Sequence, residues 1–184
     1  MAMLNGLFMT KKGATKMADS IVLRNLNNDD IYFKNFEGAE IDYNKAGDRN
    51  FGIFLSDEVA EDLEAKGWNI KRVNKEFTRN GNPNPNFGRA FIKVLVRLNW
   101  RPIPKIYKLT RKNMMLLNEE SIVDLDDAFF DNIDLKITRV YLKRYDQWTQ
   151  YLEKGFFTIS EDELDLAYAN RFAPIDDEEE LPFI

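Results

Sequence analysis

Between Gly88 and Arg101 the chain reads GRAFIKVLVRLNWR, and every fourth position from Arg89 carries a cation: Arg89, Lys93, Arg97 and Arg101. Strand side chains alternate with a period of two, so these four share one face with Phe91, Leu95 and Asn99. Ala90, Ile92, Val94, Val96, Leu98 and Trp100 take the other face. That set is almost wholly apolar and is assigned to a core, Trp100 included. Fixed cations interleaved with a flat ring supply what a single strand of nucleic acid requires. The cations meet phosphates and the ring lies against bases, each stack being worth roughly 1–3 kcal/mol with little regard to sequence.

The basic character spreads beyond that strand. Residues 65–112 hold thirteen Lys or Arg against one acid, Glu76. A solvated charged face accounts for any single lysine, but thirteen cations nearly without counter-ions repel one another and call for a polyanion. The nucleic-acid-binding candidates are Arg72, Lys75, Phe77, Arg79, Phe87, Arg89, Phe91, Lys93, Arg97, Arg101, Lys105 and Tyr107. Phe77 and Phe87 enter because they end an Asn- and Pro-rich loop, residues 74–88, with little apolar company. Tyr141 and Tyr145 also share faces with basic residues and stay open as further rings.

Other chemistries find less support. The chain has no cysteine and no histidine, which removes disulfides, thiolate metal sites and Ser/His or Cys/His nucleophilic pairs. Asp124, Asp126, Asp127, Asp131 and Asp134 invite a cation, yet the run lacks the glycine of a calcium-binding loop and has Leu135 where such a loop needs its final glutamate. No phosphate-binding GxxxxGK run occurs. The expectation is a protein that is not an enzyme, with no metal and no cofactor. A nuclease assembled from distant carboxylates is the weakest alternative. No apolar run approaches the roughly 20 residues of a membrane helix, so no membrane partner is expected and the cytoplasm is the expected compartment.

The elements that must position these groups are short and mostly extended. Strands are expected at 20–25, 31–38, 49–55, 68–73, 88–101, 105–110, 135–145 and, at an edge, 155–160. A helix is expected over 56–67, with Ser56 as N-cap, Asp57 and Glu58 in the first turn and Gly67 ending it. Residues 113–134 fit either a short helix near 121–130 or turns. The domain therefore spans 17–160, behind a leader at 1–16 and ahead of an acidic tail at 161–184. That tail carries nine acids and one base, whereas the first 160 residues have net charge +3. It closes with Asp176, Asp177, Glu178, Glu179, Glu180, Leu181, Pro182, Phe183 and Ile184, a partner-binding candidate in which acids steer and Phe183 inserts.

A basic and aromatic body followed by acids, Leu181, Pro182 and Phe183 resembles the single-stranded DNA-binding proteins with an oligonucleotide-binding fold, above all those of bacteriophages. Ile184 departs from the pattern, since Phe183 is not the last residue. The resemblance implies a mainly β, α+β, OB-fold-like molecule: a partly open five-stranded barrel with elaborations. It implies single-stranded DNA as ligand and a tail that regulates access and recruits replication or recombination proteins, in the host cytoplasm if phage-encoded. Homo-oligomerisation, an RNA-binding module and a structural or interaction protein stay open.

Overall fold

The computed structural model describes residues 18–41 and 43–162. Among the described residues nine strands occur: β1 (Ala18–Leu26), β2 (Ile31–Asn35), β3 (Arg49–Phe54), β4 (Ile70–Arg72), β5 (Ala90–Val96), β6 (Lys105–Leu109), β7 (Met114–Leu116), β8 (Phe130–Leu142) and β9 (Gln147–Ile159). Two α-helices, α1 (Asp57–Ala65) and α2 (Asp124–Asp127), and a 3-10 turn at Asn28–Asp30 join them. The topology is OB-fold-like, a mixed sheet with few short helices.

The five-stranded barrel is corrected. One nine-stranded sheet runs in the order β1-β8-β9-β5-β3-β2, with β4 attached to β5, and β6 to β9 and β7. Its ends, β1 and β2, do not pair with each other, so the sheet is not closed. The long hairpin β8–β9 stays in register from Phe130↔Ile159 to Leu142↔Gln147, through bulges. β9 also runs parallel to β5 at Leu95↔Tyr151 and to β6 from Lys105↔Lys154 to Leu109↔Thr158. It is thus a central strand, where only an edge at 155–160 was expected. Gln150 hides it in the sequence, interrupting the apolar rhythm of Trp148 and Leu152. The buried amide accepts from the Asn69 N–H at 2.8 Å and donates to the Lys93 carbonyl at 3.1 Å.

Alternation governs β5 as expected: Ala90, Ile92, Val94 and Val96 are buried. They meet Phe51 and Ile53 of β3, Ile133, Leu135 and Ile137 of β8, and Phe157 of β9 in one core. Phe157 sits among three rings, with centroids 5.6 Å from Phe36, 6.1 Å from Phe51 and 5.4 Å from Phe130, partly edge-to-face as ring quadrupoles prefer.

Two expected features change. The strand read over 88–101 stops at Val96, because the chain turns at 97–100. Trp100 consequently leaves the core and is 48% exposed. Residues 113–134 resolve into the short strand β7, turns, the single-turn α2, whose Leu125 is buried, and the start of β8, which begins at Phe130 and not at 135.

Helix α1 follows its sequence signals. The Ser56 hydroxyl accepts from the Val59 N–H at 3.3 Å. At the other end the N–H of Gly67 reaches Glu64 and that of Trp68 reaches Leu63, a paired closure that the left-handed Gly67 (φ +86°) permits. Ala60 and Leu63 are the buried pair.

Two of the acids of 124–134 brace backbone, and Asp124 pairs with Lys108 at 3.1 Å. Asp126 accepts from the Phe36 and Glu37 N–H groups at 2.8 Å each, and Asp134 from Asn25 at 2.9 Å. Among the described residues no three potential ligating side chains gather to hold a metal.

On the face away from the core, Gly52 lies beneath Phe33 of β2; a Cβ there would stand 2.6 Å from the Phe33 ring. Gly52→Ala is therefore expected to cost about 1–3 kcal/mol through forced movement of Phe33, a loss that urea unfolding reads as a lower midpoint with an unchanged slope.

Candidate nucleic-acid interface

The outer row of β5, namely Phe91, Lys93 and Leu95, continued by Arg97 just past its end, carries cations singled out above, and the sheet treats them differently along its length. At the first end Phe91 is buried with Phe54 and Val73, with Tyr32 and Phe33 packed against them. The β2 bulge between Ile31 and Phe33 allows both Tyr32 and Phe33 to reach Phe91, at centroid distances of 5.0 and 6.2 Å. Phe91 is therefore a packing ring, a correction to its assignment as a face offered to ligand. Arg89 lies 3.8 Å above the Phe54 ring.

Lys93 follows, half-buried in a notch with Lys71 of β4, Asn69, Leu95 and, from β9, Gln147 to Gln150. Burial pulls its ammonium pKa down, Lys71 and Arg97 add to the fall, and Asp48 only partly opposes them.

At the far end the row opens into a groove of about 520 Å³ between the 97–104 loop and the tip of the β8–β9 hairpin. Arg97 and Arg101 enter from the loop, with Trp100, Pro102 and Pro104; Tyr141, Lys143, Arg144 and Tyr145 enter from the hairpin, and Tyr151 lies on β9. Trp100 and Tyr151 rings are 5.5 Å apart. The Arg144 guanidinium lies 5.6 Å from the Tyr145 ring centre. Arg97 is bound to Asp48 at 3.0 Å. The hairpin turn that places Lys143 to Tyr145 relies on Asp146, which takes a left-handed conformation (φ 49°) and accepts the Tyr141 hydroxyl.

Glu153 is the carboxylate lining this groove, and it is engaged: Lys136 donates to it at 2.8 Å and so does the Thr138 hydroxyl. Burial works to raise its pKa, but these two hydrogen bonds and the Lys136 charge outweigh burial and hold it below the ordinary carboxylate range. A depressed carboxylate stabilises the fold at pH above its unfolded value, and that contribution disappears as pH falls through the folded value. Glu153→Gln is accordingly expected to lower the thermal midpoint near neutral pH, with the gap to the native chain closing as pH drops below about 4.

Of the remaining sequence candidates, Arg72 faces α1 and is paired with Asp57 at 3.3 Å and Glu64 at 3.8 Å. Lys75, Phe77, Arg79 and Phe87 sit on the 74–88 loop, with Phe77 59% and Phe87 51% exposed. Lys105 and Tyr107 lie on β6, where Tyr107 stacks on Phe156 at 5.0 Å. Thus Arg97 and Arg101 meet in one groove, and the other candidates do not line it. Sequence reading missed Trp100 and Tyr151 as groove rings, and Lys143 and Arg144 as groove cations. The run LKRYDQ, a basic and aromatic turn between extended segments, was the available signal for the last two. The tail residues Asp176 to Ile184 and the leader at 1–16 lie outside the described residues.

By fold and surface this is an open, OB-fold-like β domain with a cationic, aromatic groove. A family model described as "Putative phage ssDNA-binding domain" matches residues 17–181, and the chain belongs to that family. The family is one of non-catalytic single-stranded DNA-binding domains. Among solved structures, the single-stranded DNA-binding protein from bacteriophage Enc34 is similar at 9% identity and a TM-score of 0.44, over 86% of this chain and 92% of that one. Its C-terminal truncation is similar at 10% identity and 0.44, over 85% and 96%. No curated protein matches the chain. None of the described helices is long and apolar enough to cross a membrane.

Proposed function

We propose that the chain binds single-stranded DNA without sequence preference in the groove between the 97–104 loop and the β8–β9 hairpin, coating exposed strands during replication or recombination. One observation carries this. Four cations and four aromatic rings converge there, while the carboxylate lining it, Glu153, is already taken up by Lys136 and Thr138. Arg101, Lys143 and Arg144 meet phosphates. Arg97 contributes after yielding Asp48, or through its remaining N–H groups. Trp100 and Tyr151 lie against bases, and burial moves the Tyr151 phenol pKa up, further from neutrality. A positively charged groove with flat rings is what sequence-tolerant single-strand binding uses.

Fluorescence anisotropy with labelled oligo-dT, oligo-rU and a duplex, at several salt concentrations, tests the reading. Tighter binding to oligo-dT that weakens steeply with salt is expected. Equal or tighter binding to duplex would overturn it, and a preference for oligo-rU would make the chain an RNA-binding module.

The segment Asp176 to Ile184 gives this function a second part, argued from its sequence. Five acids compete with phosphates for the cationic groove, and Leu181, Phe183 and Ile184 insert into a basic-rimmed pocket on replication or recombination proteins. Deleting 174–184 is expected to retain or strengthen oligo-dT affinity while abolishing capture of such partners; a marked fall in DNA affinity would contradict it.

A further inference from the structure

The face of β6, β8 and β9 that points away from the core carries a charge arrangement that local stability does not favour. The registers Lys136↔Lys154 and Lys105↔Lys154 align three lysines across three neighbouring strands. Their neighbours along each strand fix the face: Leu135 and Ile137 beside Lys136, Gly155 beside Lys154 and Ile106 beside Lys105 are all buried, so the lysines point outward. Like charges directly opposite on a sheet repel. Glu153, extruded by the β9 bulge, forms its ion pair with Lys136 and reaches Lys154 only as a weaker through-space charge. Lys105 and Lys154 have no carboxylate within ion-pair distance among the described residues.

One level further along, the same face presents Tyr107 and Phe156, opposite each other in the β6–β9 ladder, stacked at 5.0 Å with planes 9° apart and both only partly buried. One level back, the face meets the groove at Thr138, Glu153 and Pro104. Groove ring Tyr151, lysine pair and aromatic pair therefore follow one another along β9 over five residues, about 17 Å at the usual strand rise.

We propose that this surface is a second station for the same strand of DNA, an inference that rests on the groove reading and extends it. The strand leaves Trp100 and Tyr151 and runs alongside β9. Its phosphates lie on Lys105 and Lys154, and a further base lies against the Tyr107–Phe156 pair. The alternation of stack, cations and stack matches the repeat of base and phosphate along a stretched single strand. The footprint falls near the low end of the roughly 4–16 nucleotides covered by one oligonucleotide-binding module.

The test is an anisotropy titration of an oligo-dT length series, from four to twelve nucleotides, against the native chain, Trp100→Ala and the double variant K105Q/K154Q. Both lysines are exposed, and losing their mutual repulsion should leave the thermal midpoint equal or higher. For the double variant the longer oligomers are expected to bind roughly tenfold more weakly, with the salt slope reduced by about 1.4, from two lost single-strand phosphate contacts. The four-nucleotide probe is expected to change by less than about twofold, since it fills the groove alone. An unchanged slope and unchanged long-oligomer affinity in K105Q/K154Q, with Trp100→Ala still weakening binding, would overturn the second station and leave the groove standing. A native chain without preference for oligo-dT would instead remove the groove reading and the station with it.

Discussion

Trp100→Ala is expected to raise the Kd for oligo-dT by about 5- to 150-fold, the range that corresponds to losing one base stack of roughly 1–3 kcal/mol. Trp100 is the largest ring on the groove wall, and its 48% exposure leaves indole area for a base while the rest packs near Tyr151. Because the residue lies in a turn outside the core, the thermal midpoint should move little, which separates a binding defect from a folding defect. Phe should restore part of the affinity, since a smaller ring still stacks; Leu should not. The effect should persist in high salt, where phosphate contacts fade, so the ratio of variant to native Kd stays nearly constant as salt rises. A Kd within twofold of native at every salt concentration would remove Trp100 from the interface.

Arg139→Ala is expected to produce the largest loss of stability, about 3 kcal/mol, or roughly 6–12 °C in thermal midpoint for a domain of this size. Arg139 is 8% exposed, on the strand β8 at the junction of β1, α1 and the hairpin. Its Nε and Nη2 donate to Asp19 at 3.1 and 2.6 Å, and Nη2 also donates to the Lys66 carbonyl at 2.8 Å. The guanidinium lies over two tryptophans, 4.6 Å from Trp148 and 5.0 Å from Trp68. Truncation leaves the Asp19 carboxylate and a helix-end carbonyl without their donor and opens a gap between the indoles. The partial exposure of Asp19 keeps the figure at the low end for buried pairs. Lys should rescue poorly, because an ammonium cannot donate from two fixed nitrogens to Asp19 Oδ2 while stacking on both rings. Calorimetry decides the matter, and a midpoint lowered by less than about 2 °C would mean that the pair contributes no more than a surface ion pair.

Arg139 also shows where sequence reading reaches its limit. Alternation in LKITRVYLKRY places Ile137, Arg139 and Tyr141 on one side, and nothing in that pattern distinguishes a cation aimed at solvent from one held under two indoles. The deciding partners, Asp19, Lys66 with Trp68, and Trp148, come from three other parts of the chain. Phe91 and Trp100 make the complementary pair. Strand parity sent Trp100 inward and Phe91 outward. The chain turns after Val96 and frees Trp100, while the β2 bulge brings Tyr32 and Phe33 over Phe91.

What the residues alone determined is local. The inward face of β5, the capped helix α1, the concentration of cations between 65 and 112 and the absence of thiol and imidazole chemistry all follow from nearest-neighbour sterics, periodicity and charge. Tertiary structure decided the rest: an open nine-stranded sheet in place of a partly open five-stranded barrel, β9 as its central strand, and a groove built from a loop and a hairpin tip some 40 residues apart in sequence. The physical reason is that strand pairing and bulge placement depend on long-range registers. A single bulge reverses the face that every later side chain presents.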